Sequence, residues 1–211
     1  MNQNSMELVV DSDFTSPWAL SAYAALTHKG LEFSVRSVDL AQRQNREPEF
    51  ADPSLTARVP LLRHGDFFLT ESSAIAEYLE DLLPPPDAPS LYPQDTRARA
   101  RARQLQAWLR SDLQPIRNER PTEVIFVSPS HKPLSARASA CARHLCEVAG
   151  KLLPPGDANL FGKWSIADLD LAVMLMRLVV NDDPVPQRLV EYVEAQWQID
   201  PVQRWLRARS A

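Results

Sequence analysis

Glycine is scarce in this chain, which has 5 glycines among 211 residues. They are spread too widely to form the G-x-G-x-x-G loop of dinucleotide-binding proteins or the G-x-x-x-x-G-K loop of P-loop proteins. No serine stands in the G-x-S-x-G pattern of α/β-hydrolases, and the 4 histidines do not form the H-E-x-x-H pair of zinc proteases. The sequence therefore excludes nucleotide-binding loops of these types and two large classes of hydrolase.

Cysteine is rarer still, with only Cys141 and Cys146 in the whole chain. They lie five residues apart in one helix-like segment, so they form neither a C-x-x-C redox pair nor the framework of a disulfide-bonded secreted fold. No apolar run reaches the length of about 18 residues that spans a membrane. The first ten residues also lack the basic and apolar regions of a signal peptide.

Neither sign of charge dominates, because 23 Lys and Arg residues stand against 27 Asp and Glu residues, for a formal net charge of −4. This balance gives no general attraction to nucleic acid or to an anionic membrane. We therefore expect a cytoplasmic protein whose partners include neither nucleic acid nor a membrane.

The first 83 residues predict a small α/β domain. Residues 6–10 form an apolar strand, and residues 17–29 are rich in Ala and Leu and end before Gly30, as helices commonly do. Residues 33–40, FSVRSVDL, predict a second strand, and VPLLRHGDFFLTES predicts a β-hairpin followed by a helix that Ser72 or Ser73 can cap. The order βαβ, then α, then ββα is that of a thioredoxin-like fold.

Residues 84–93, PPPDAPSLYP, contain five prolines and predict a stiff linker. Everything after it, residues 94–211, predicts an all-helical domain. Apolar residues recur at helical spacing from Ala98 to Ile116, which predicts one helix capped by Asp95. Further helices are predicted over residues 135–153, 166–180, 187–196 and 201–209. The fold class is thus α/β plus all-α.

Two features of the helical domain have both a structural and a functional interpretation. One predicted helix contains alternating arginines at Arg97, Arg99, Arg101 and Arg103, which we expect to form a solvated face. The alternative is contact with nucleic acid, which would predict salt-sensitive retention on heparin. Ser165 and Asp168 form an S-x-x-D capping box, for which we expect a structural role instead of a catalytic one.

Ser16 stands where the first strand gives way to the first helix, directly before Pro17. Proline suits the first helical position, and a serine before it can cap the helix. The same serine lies over unpaired backbone N–H groups and the positive end of the helix dipole, where an anion binds well. A simple cap and an anion site both remain open from these residues alone.

Two further pairs carry the same ambiguity. Val59-Pro60 precedes an apolar strand and can hold a cis bond that turns the Val59 backbone outward, towards an extended peptide. Glu71-Ser72 stands at the start of a helix and offers a carboxylate for an ammonium group and N–H groups for a carboxylate. The structural alternatives are a turn proline and an ordinary helix cap with an acidic neighbour.

Taken together, four features of the chain resemble a cytosolic glutathione S-transferase. They are the runs SPW-ALSAYAALTHKGLEF and ARVPLLRHGDFFLTESSAIAEYLEDLLP, the proline-rich linker and the helical domain. The resemblance covers nearly the whole chain, and the paired RVPLL and ESSAIAEYL motifs are highly specific. Among the classes, the chain is similar to the serine-type tau, theta and zeta group. It looks closest to the bacterial YfcF-type transferases.

The resemblance implies an enzyme that binds glutathione as co-substrate, needs no metal, acts on a small hydrophobic electrophile and forms a homodimer. It implies that the Ser16 hydroxyl stabilises the glutathione thiolate. Arg58, Val59, Pro60, Glu71 and Ser72 would bind glutathione, with Arg58 at the glycine carboxylate. Family members supply a second basic residue for this carboxylate, and the candidates for that position here are Gln44, Asn45 and Arg46. Phe14, Trp18 and Trp108 would line the electrophile pocket.

Two departures from the family pattern restrict the reactions that the resemblance implies. The first helix contains no cysteine, which disfavours the mixed-disulfide chemistry of glutaredoxins and cysteine-type transferases. TSPWALS does not match the SSCSWRVR-like run of zeta-class maleylacetoacetate isomerases. The resemblance thus implies thiolate attack on an electrophile, a peroxide or a disulfide, with peroxidase activity as a side reaction. The alternative is a catalytically weak scaffold that binds glutathione or hydrophobic ligands.

Overall fold

The computed structural model describes residues 5–210, which form two compact units. The first comprises the described residues up to Leu91 together with those from Asp200 onward, and the second is Tyr92–Ile199. The predicted fold class is confirmed: a thioredoxin-like α/β part is followed by an all-helical part.

The first unit is built around a mixed four-stranded sheet. Its strands lie in the order β2-β1-β3-β4, with β1 parallel to β2 and antiparallel to β3, and with β3 antiparallel to β4. The elements are β1 Met6–Asp11, α1 Pro17–His28, β2 Ser34–Val38, a 3-10 turn Gln44–Arg46, α2 Pro48–Ala51, β3 Leu61–His64, β4 Phe67–Thr70 and α3 Ser72–Leu82.

Strand β1 is the centre of this unit because its residues are apolar and are covered on both faces. Leu8, Val9 and Val10 are fully buried, as a continuous apolar strand requires. Helix α1 packs through its Ala and Leu residues and ends before Gly30, whose φ of 70° suits glycine. The hairpin turns at Gly65, with φ of 61°.

The second unit consists of helices α4 Thr96–Ser111, α5 Gln114–Glu119, α6 Glu123–Phe126, α7 Ala136–Leu152, α8 Ile166–Val179 and α9 Gln187–Trp197. Helix α8 is its core, since every residue from Ile166 to Leu178 is buried. Such a helix, apolar on nearly all sides, needs neighbours around it, and α4, α6, α7 and α9 supply them.

The single helix predicted from Ala98 to Ile116 is two helices. Asp95 caps α4 as expected, accepting from the N–H groups of Arg97 and Ala98, but α4 ends at Ser111 and α5 begins at Gln114. Leu113 between them has φ of 45°. Pro115 explains the break, because a proline inside a helix removes one hydrogen bond and clashes with the preceding turn. Leu113 and Ile116 are buried all the same.

The arginines of α4 lie mainly on a solvated face. Arg97, Arg101 and Arg103 are exposed, whereas Arg99 is half-buried and donates from its Nε to the Pro93 carbonyl at 2.9 Å. None of the helices within residues 5–210 is long and apolar enough to cross a membrane.

The predicted linker of residues 84–93 lies partly within the first unit. A buried ion pair holds it: the Lys29 ammonium lies 2.6 Å from Glu80 and donates to the Leu83 carbonyl at 2.7 Å. The Glu80 carboxylate also accepts from the Ser90 hydroxyl and the Leu91 N–H. Burial alone would raise the pKa of Glu80, but these donors outweigh it and the pKa is lowered.

The last helix, α10 Asp200–Arg209, groups with the first unit. We predicted domain borders of 1–83, 84–93 and 94–211, which placed this helix in the helical domain. Its contacts differ because Trp205, fully buried, packs against Tyr23 of α1 with ring centroids 5.4 Å apart. The helix thus returns to the N-terminal fold after the chain has completed the helical unit.

Candidate functional site

The sheet brings the predicted site residues of the first unit to one end. Val9 of β1 pairs with Leu61 at the start of β3, and Leu61 pairs with Thr70 at the end of β4. Because adjacent antiparallel strands run in opposite directions, the segment after β1, the segment before β3 and the segment after β4 meet at the same edge. These three segments contain, in turn, Ser16, Val59-Pro60 and Glu71-Ser72.

Ser16 caps helix α1. Its backbone is extended, with φ −68° and ψ 117°, Pro17 is the first helical residue, and the Ser16 hydroxyl oxygen accepts from the Ala19 N–H at 3.2 Å. Within residues 5–210 this is the hydroxyl's one hydrogen bond. A serine hydroxyl can donate and accept at once. Capping therefore leaves the proton of this half-buried group available to a ligand.

Asp11, the last residue of β1, holds the loop that leads to Ser16. Its carboxylate accepts from the Thr15 N–H at 2.6 Å, the Thr15 hydroxyl at 3.1 Å and the Ser16 N–H at 3.1 Å. Asp11 was not among the residues predicted from the sequence. A detectable signal was present, since an acid at a strand end four to five residues before a Thr-Ser-Pro run can cap the turn between them.

Phe14 packs within the first unit. Its φ of 53° is left-handed, its ring centroid lies 4.8 Å from that of Trp205, and its carbonyl accepts from the Trp205 indole N–H at 3.1 Å. Trp18 is half-buried on α1. Trp108 lies in the second unit, edge-on to His144 with centroids 5.6 Å apart. The assignment of all three to an electrophile pocket stays a prediction.

The Val59-Pro60 peptide is cis. Pro60 is buried, while Val59 is half-buried and packs against a core cluster of Val9, Val38, Phe50 and Leu61. The preceding Arg58 is exposed. The side chain of Val59 is thereby anchored in the core, and its backbone lies at the end of the sheet.

The 3-10 turn lies beside the segment that contains Arg58. The Asn45 side-chain amide donates to the Ala57 carbonyl at 2.8 Å, and the Gln44 side chain accepts from the Asp39 N–H at 2.7 Å. Two of the three candidates for a second glycine-carboxylate group are thus engaged with the backbone. Arg46 is exposed and is the one among them that carries a charge.

Glu71 has an unusual backbone. Its φ of 69° and ψ of 110° lie outside the left-handed helical region, and its exposed side chain makes no capping bond to α3. A non-glycine residue in such a conformation costs about 1–3 kcal/mol, and such strain clusters at functional sites. The prediction that Ser72 or Ser73 caps this helix is wrong, because Ser72 is already the first residue of α3, where it is buried. Its N–H stands at the N-terminus of α3, where the helix dipole favours a negative charge.

The chemistry of this edge suits an organic zwitterion. It combines a hydroxyl donor at Ser16, two exposed cations at Arg46 and Arg58, one exposed carboxylate at Glu71 and the N-termini of two helices. Among residues 5–210, no group of three or more His, Cys, Asp and Glu side chains could hold a metal ion. The arrangement can bind ammonium and carboxylate groups and donate a hydrogen bond to an anion.

Family models match both parts of the chain. The glutathione S-transferase N-terminal domain matches residues 12–81, and the glutathione S-transferase C-terminal domain matches residues 95–211. The second match alone covers more than half of the chain.

Individual proteins are similar as well. A glutathione transferase homologue from Burkholderia, solved with bound glutathione, is 40% identical, with a TM-score of 0.82 over 98% of this chain and 99% of that one. Glutathione S-transferase T1 of Arabidopsis thaliana is 30% identical over 88% of this chain and 78% of its own length.

Human glutathione S-transferase theta-2 is 36% identical over 103 residues, which are 49% of this chain. The aligned region spans 41% of the human protein, less than half its length. The similarity to YfcF-type transferases stays a prediction. By the two family models and the long alignment with the Arabidopsis protein, the chain belongs to the glutathione S-transferase family.

Proposed function

We propose that this protein is a glutathione transferase in which the Ser16 hydroxyl stabilises the glutathione thiolate for attack on an electrophile. The observation that carries the proposal is one end of the sheet, where Ser16 follows β1, Val59 precedes β3 and Glu71 follows β4. The Burkholderia homologue, 40% identical over nearly all of both chains, contains bound glutathione.

We propose a partner in the site for each group of the glutathione tripeptide. The Val59 backbone would pair with the cysteinyl part, and Glu71 would accept from the γ-glutamyl ammonium group while the N–H groups at Ser72 bind its carboxylate. Arg58 would bind the glycine carboxylate. We propose Arg46 as the second basic group, because the turn that carries it is tied to Ala57 through Asn45.

One hydroxyl is sufficient for thiol activation. A thiol with a pKa of about 8.5 is mostly protonated at neutral pH, and lowering that pKa by about two units requires about 2.7 kcal/mol. A hydrogen bond to a charged acceptor supplies about 1.5–3 kcal/mol, and a helix N-terminus adds about 0.3–1 kcal/mol. Ser16 on α1 therefore needs no general base.

The reacting thiol comes from glutathione, since α1 contains no cysteine. The thiolate would attack a small hydrophobic electrophile, with peroxides and disulfides as further acceptors. Phe14, Trp18 and Trp108 are proposed to line the electrophile pocket. The cytoplasmic location expected from the sequence stays a prediction.

Replacing Glu71 tests glutathione binding. We expect Glu71→Gln to raise the Kd for glutathione about 10-fold or more, because a charge-assisted hydrogen bond to the ammonium group is lost. Glu71→Gly is expected to bind at least as weakly yet to melt at a higher temperature, since glycine adopts φ of 69° without strain. Calorimetric titration with glutathione and thermal unfolding measure the two effects.

Asp81→Asn, which changes an exposed carboxylate at the far end of α3, is the matched control and is expected to leave the Kd unchanged. Equal affinities for Glu71→Gln and the parent protein would contradict this placement of glutathione.

The alternative function is a catalytically weak scaffold that binds glutathione or hydrophobic ligands. One observation supports it: the Ser16 hydroxyl already caps α1. A panel of halogenated aromatics, peroxides and disulfides separates the two functions. Glutathione binding without turnover of any member would favour the scaffold, and turnover would favour the enzyme.

We propose a homodimer that uses the exposed edge of β4. Phe67 there is 45% exposed, and its ring lies 5.3 Å from that of Tyr78 on α3. An exposed aromatic side chain on an edge strand is typical of an interface. Phe67→Ser is expected to shift the dimer to monomer in light scattering, whereas the control Leu55→Ser, at an exposed loop residue, is not. A monomeric parent protein would contradict the proposal.

A further inference from the structure

Asp11 is a buried carboxylate that makes its bonds to the two residues immediately before the helix. It is 4% exposed, and one oxygen, Oδ2, accepts both the N–H and the hydroxyl of Thr15. The other oxygen, Oδ1, accepts the Ser16 N–H at 3.1 Å, and this N–H also lies 3.2 Å from Oδ2. Two consecutive backbone N–H groups, those of Thr15 and Ser16, are therefore held by one carboxylate.

The loop contains no helix or strand, and besides Asp11 it is held at Phe14, whose carbonyl accepts from the Trp205 indole N–H. Its chain turns back at Phe14, whose N–H donates to the Asp11 carbonyl at 3.1 Å and whose φ is 53°. Thr15 and Ser16 then have to enter α1 at an angle set by these contacts. Because the Ser16 hydroxyl is joined to the held backbone through a single methylene group and accepts from the Ala19 N–H, its direction depends on where Asp11 places that backbone.

The charge of Asp11 argues against a direct electrostatic role. A carboxylate near a bound thiolate disfavours the anion, so it would weaken the activation that Ser16 provides. Its benefit to the reaction has to come from geometry. An asparagine cannot replace it fully, since an amide has one acceptor oxygen and its NH₂ group would face a donor.

We propose that Asp11 is a positioning residue that holds Ser16 where its hydroxyl meets the glutathione sulfur. The inference rests on the proposed function, because it assigns Asp11 a role through Ser16. Misplacement of a reacting group by about 1 Å can cost about 100-fold in rate. Asp11 thus contributes to catalysis without contacting the substrate.

The test compares Asp11→Asn with the parent protein. We expect kcat with a halogenated dinitrobenzene to fall about 10- to 100-fold while the KM for glutathione changes little. The pKa of the bound thiol, read from thiolate absorbance across a pH series, is expected to rise towards the free value of about 8.5. Asp13→Asn, at the exposed acid of the same loop, is the control and is expected to leave both values unchanged.

Combining Asp11→Asn with Ser16→Ala distinguishes a failure of this inference from a failure of the proposed function. In Ser16→Ala protein, adding Asp11→Asn is expected to change the thiol pKa no further, because the two residues act as one unit. If Ser16→Ala leaves the thiol pKa unchanged, the serine mechanism itself fails. If Ser16→Ala raises the thiol pKa but Asp11→Asn leaves it unchanged or lowers it, the role of Asp11 alone is overturned.

Thr15→Val serves if Asp11→Asn does not fold. It removes only the hydroxyl bond to Oδ2, so we expect a smaller rise of the bound thiol pKa and a fall in kcat of about 3-fold, as for one weakened hydrogen bond. An unchanged thiol pKa in this folded variant would count against the positioning role.

Discussion

Ser16→Ala is expected to lower kcat for conjugation of glutathione about 10- to 100-fold at neutral pH. A hydrogen bond to a charged acceptor is worth about 1.5–3 kcal/mol, and about 1.4 kcal/mol corresponds to a tenfold change in rate. The pH–rate profile should shift to higher pH, because the bound thiol then ionises nearer its free pKa of about 8.5. Above that pH, the variant should approach the parent rate.

Ser16 also caps α1, so loss of the cap has to be separated from loss of the donor. Alanine at a cap costs about 1 kcal/mol of stability, whereas Ser16→Asp keeps a capping oxygen but repels a thiolate. We expect Ser16→Asp to be as stable as the parent protein in urea and at least as impaired as Ser16→Ala in kcat. Full activity in Ser16→Asp would exclude hydroxyl donation, and Ser12→Ala, in the same loop, is the control.

Asp168→Ala is expected to lower the free energy of unfolding by about 3–5 kcal/mol, which is typical of a broken buried network. The Asp168 side chain is fully buried and accepts from the N–H groups of Leu160 and Ser165 and from the Ser165 and Tyr192 hydroxyls. Burial raises the pKa of Asp168 although all four donors oppose that rise. Alanine would leave them unpaired inside the helical unit.

Urea unfolding measures this loss, and Asp157→Ala, at an exposed acid before the same helix, is the control. Asp168→Asn should lose less, because its amide oxygen can still accept some of these bonds. A loss below about 1 kcal/mol for Asp168→Ala would contradict the structural assignment, since ordinary surface substitutions stay within about 0.5 kcal/mol. For a typical domain stability of about 5–15 kcal/mol, the expected loss is a large share.

Helix ends were the part of this fold that local rules predicted best. Asp95 caps α4, and the Ser165–Asp168 capping box opens α8. The predicted helices 135–153, 166–180, 187–196 and 201–209 agree with α7, α8, α9 and α10 to within one residue at each end. Caps and periodicity act within a few residues of the chain, so the sequence carries them directly.

The errors and omissions have a common cause. The break at Leu113 and the short helices α5 and α6 depend on how a proline-containing stretch packs, which local periodicity does not report. Asp11 was missed because its spacing to Thr15 and Ser16 is only a weak local signal, and its bonds to them are evident only in the folded loop. In both cases the deciding contacts lie outside the repeating pattern of a helix or strand.

By itself, the sequence determined the fold class, the order of the elements and the caps of α1, α4 and α8, and it proposed the candidate residues Ser16, Val59, Glu71 and Ser72. Only the tertiary structure decided that these segments meet at one end of the sheet, that α10 joins the first unit and that Asp11 holds the Ser16 backbone. The physical reason is range. Propensity and capping are local, whereas strand register and burial join residues far apart in the chain, such as Phe14 and Trp205.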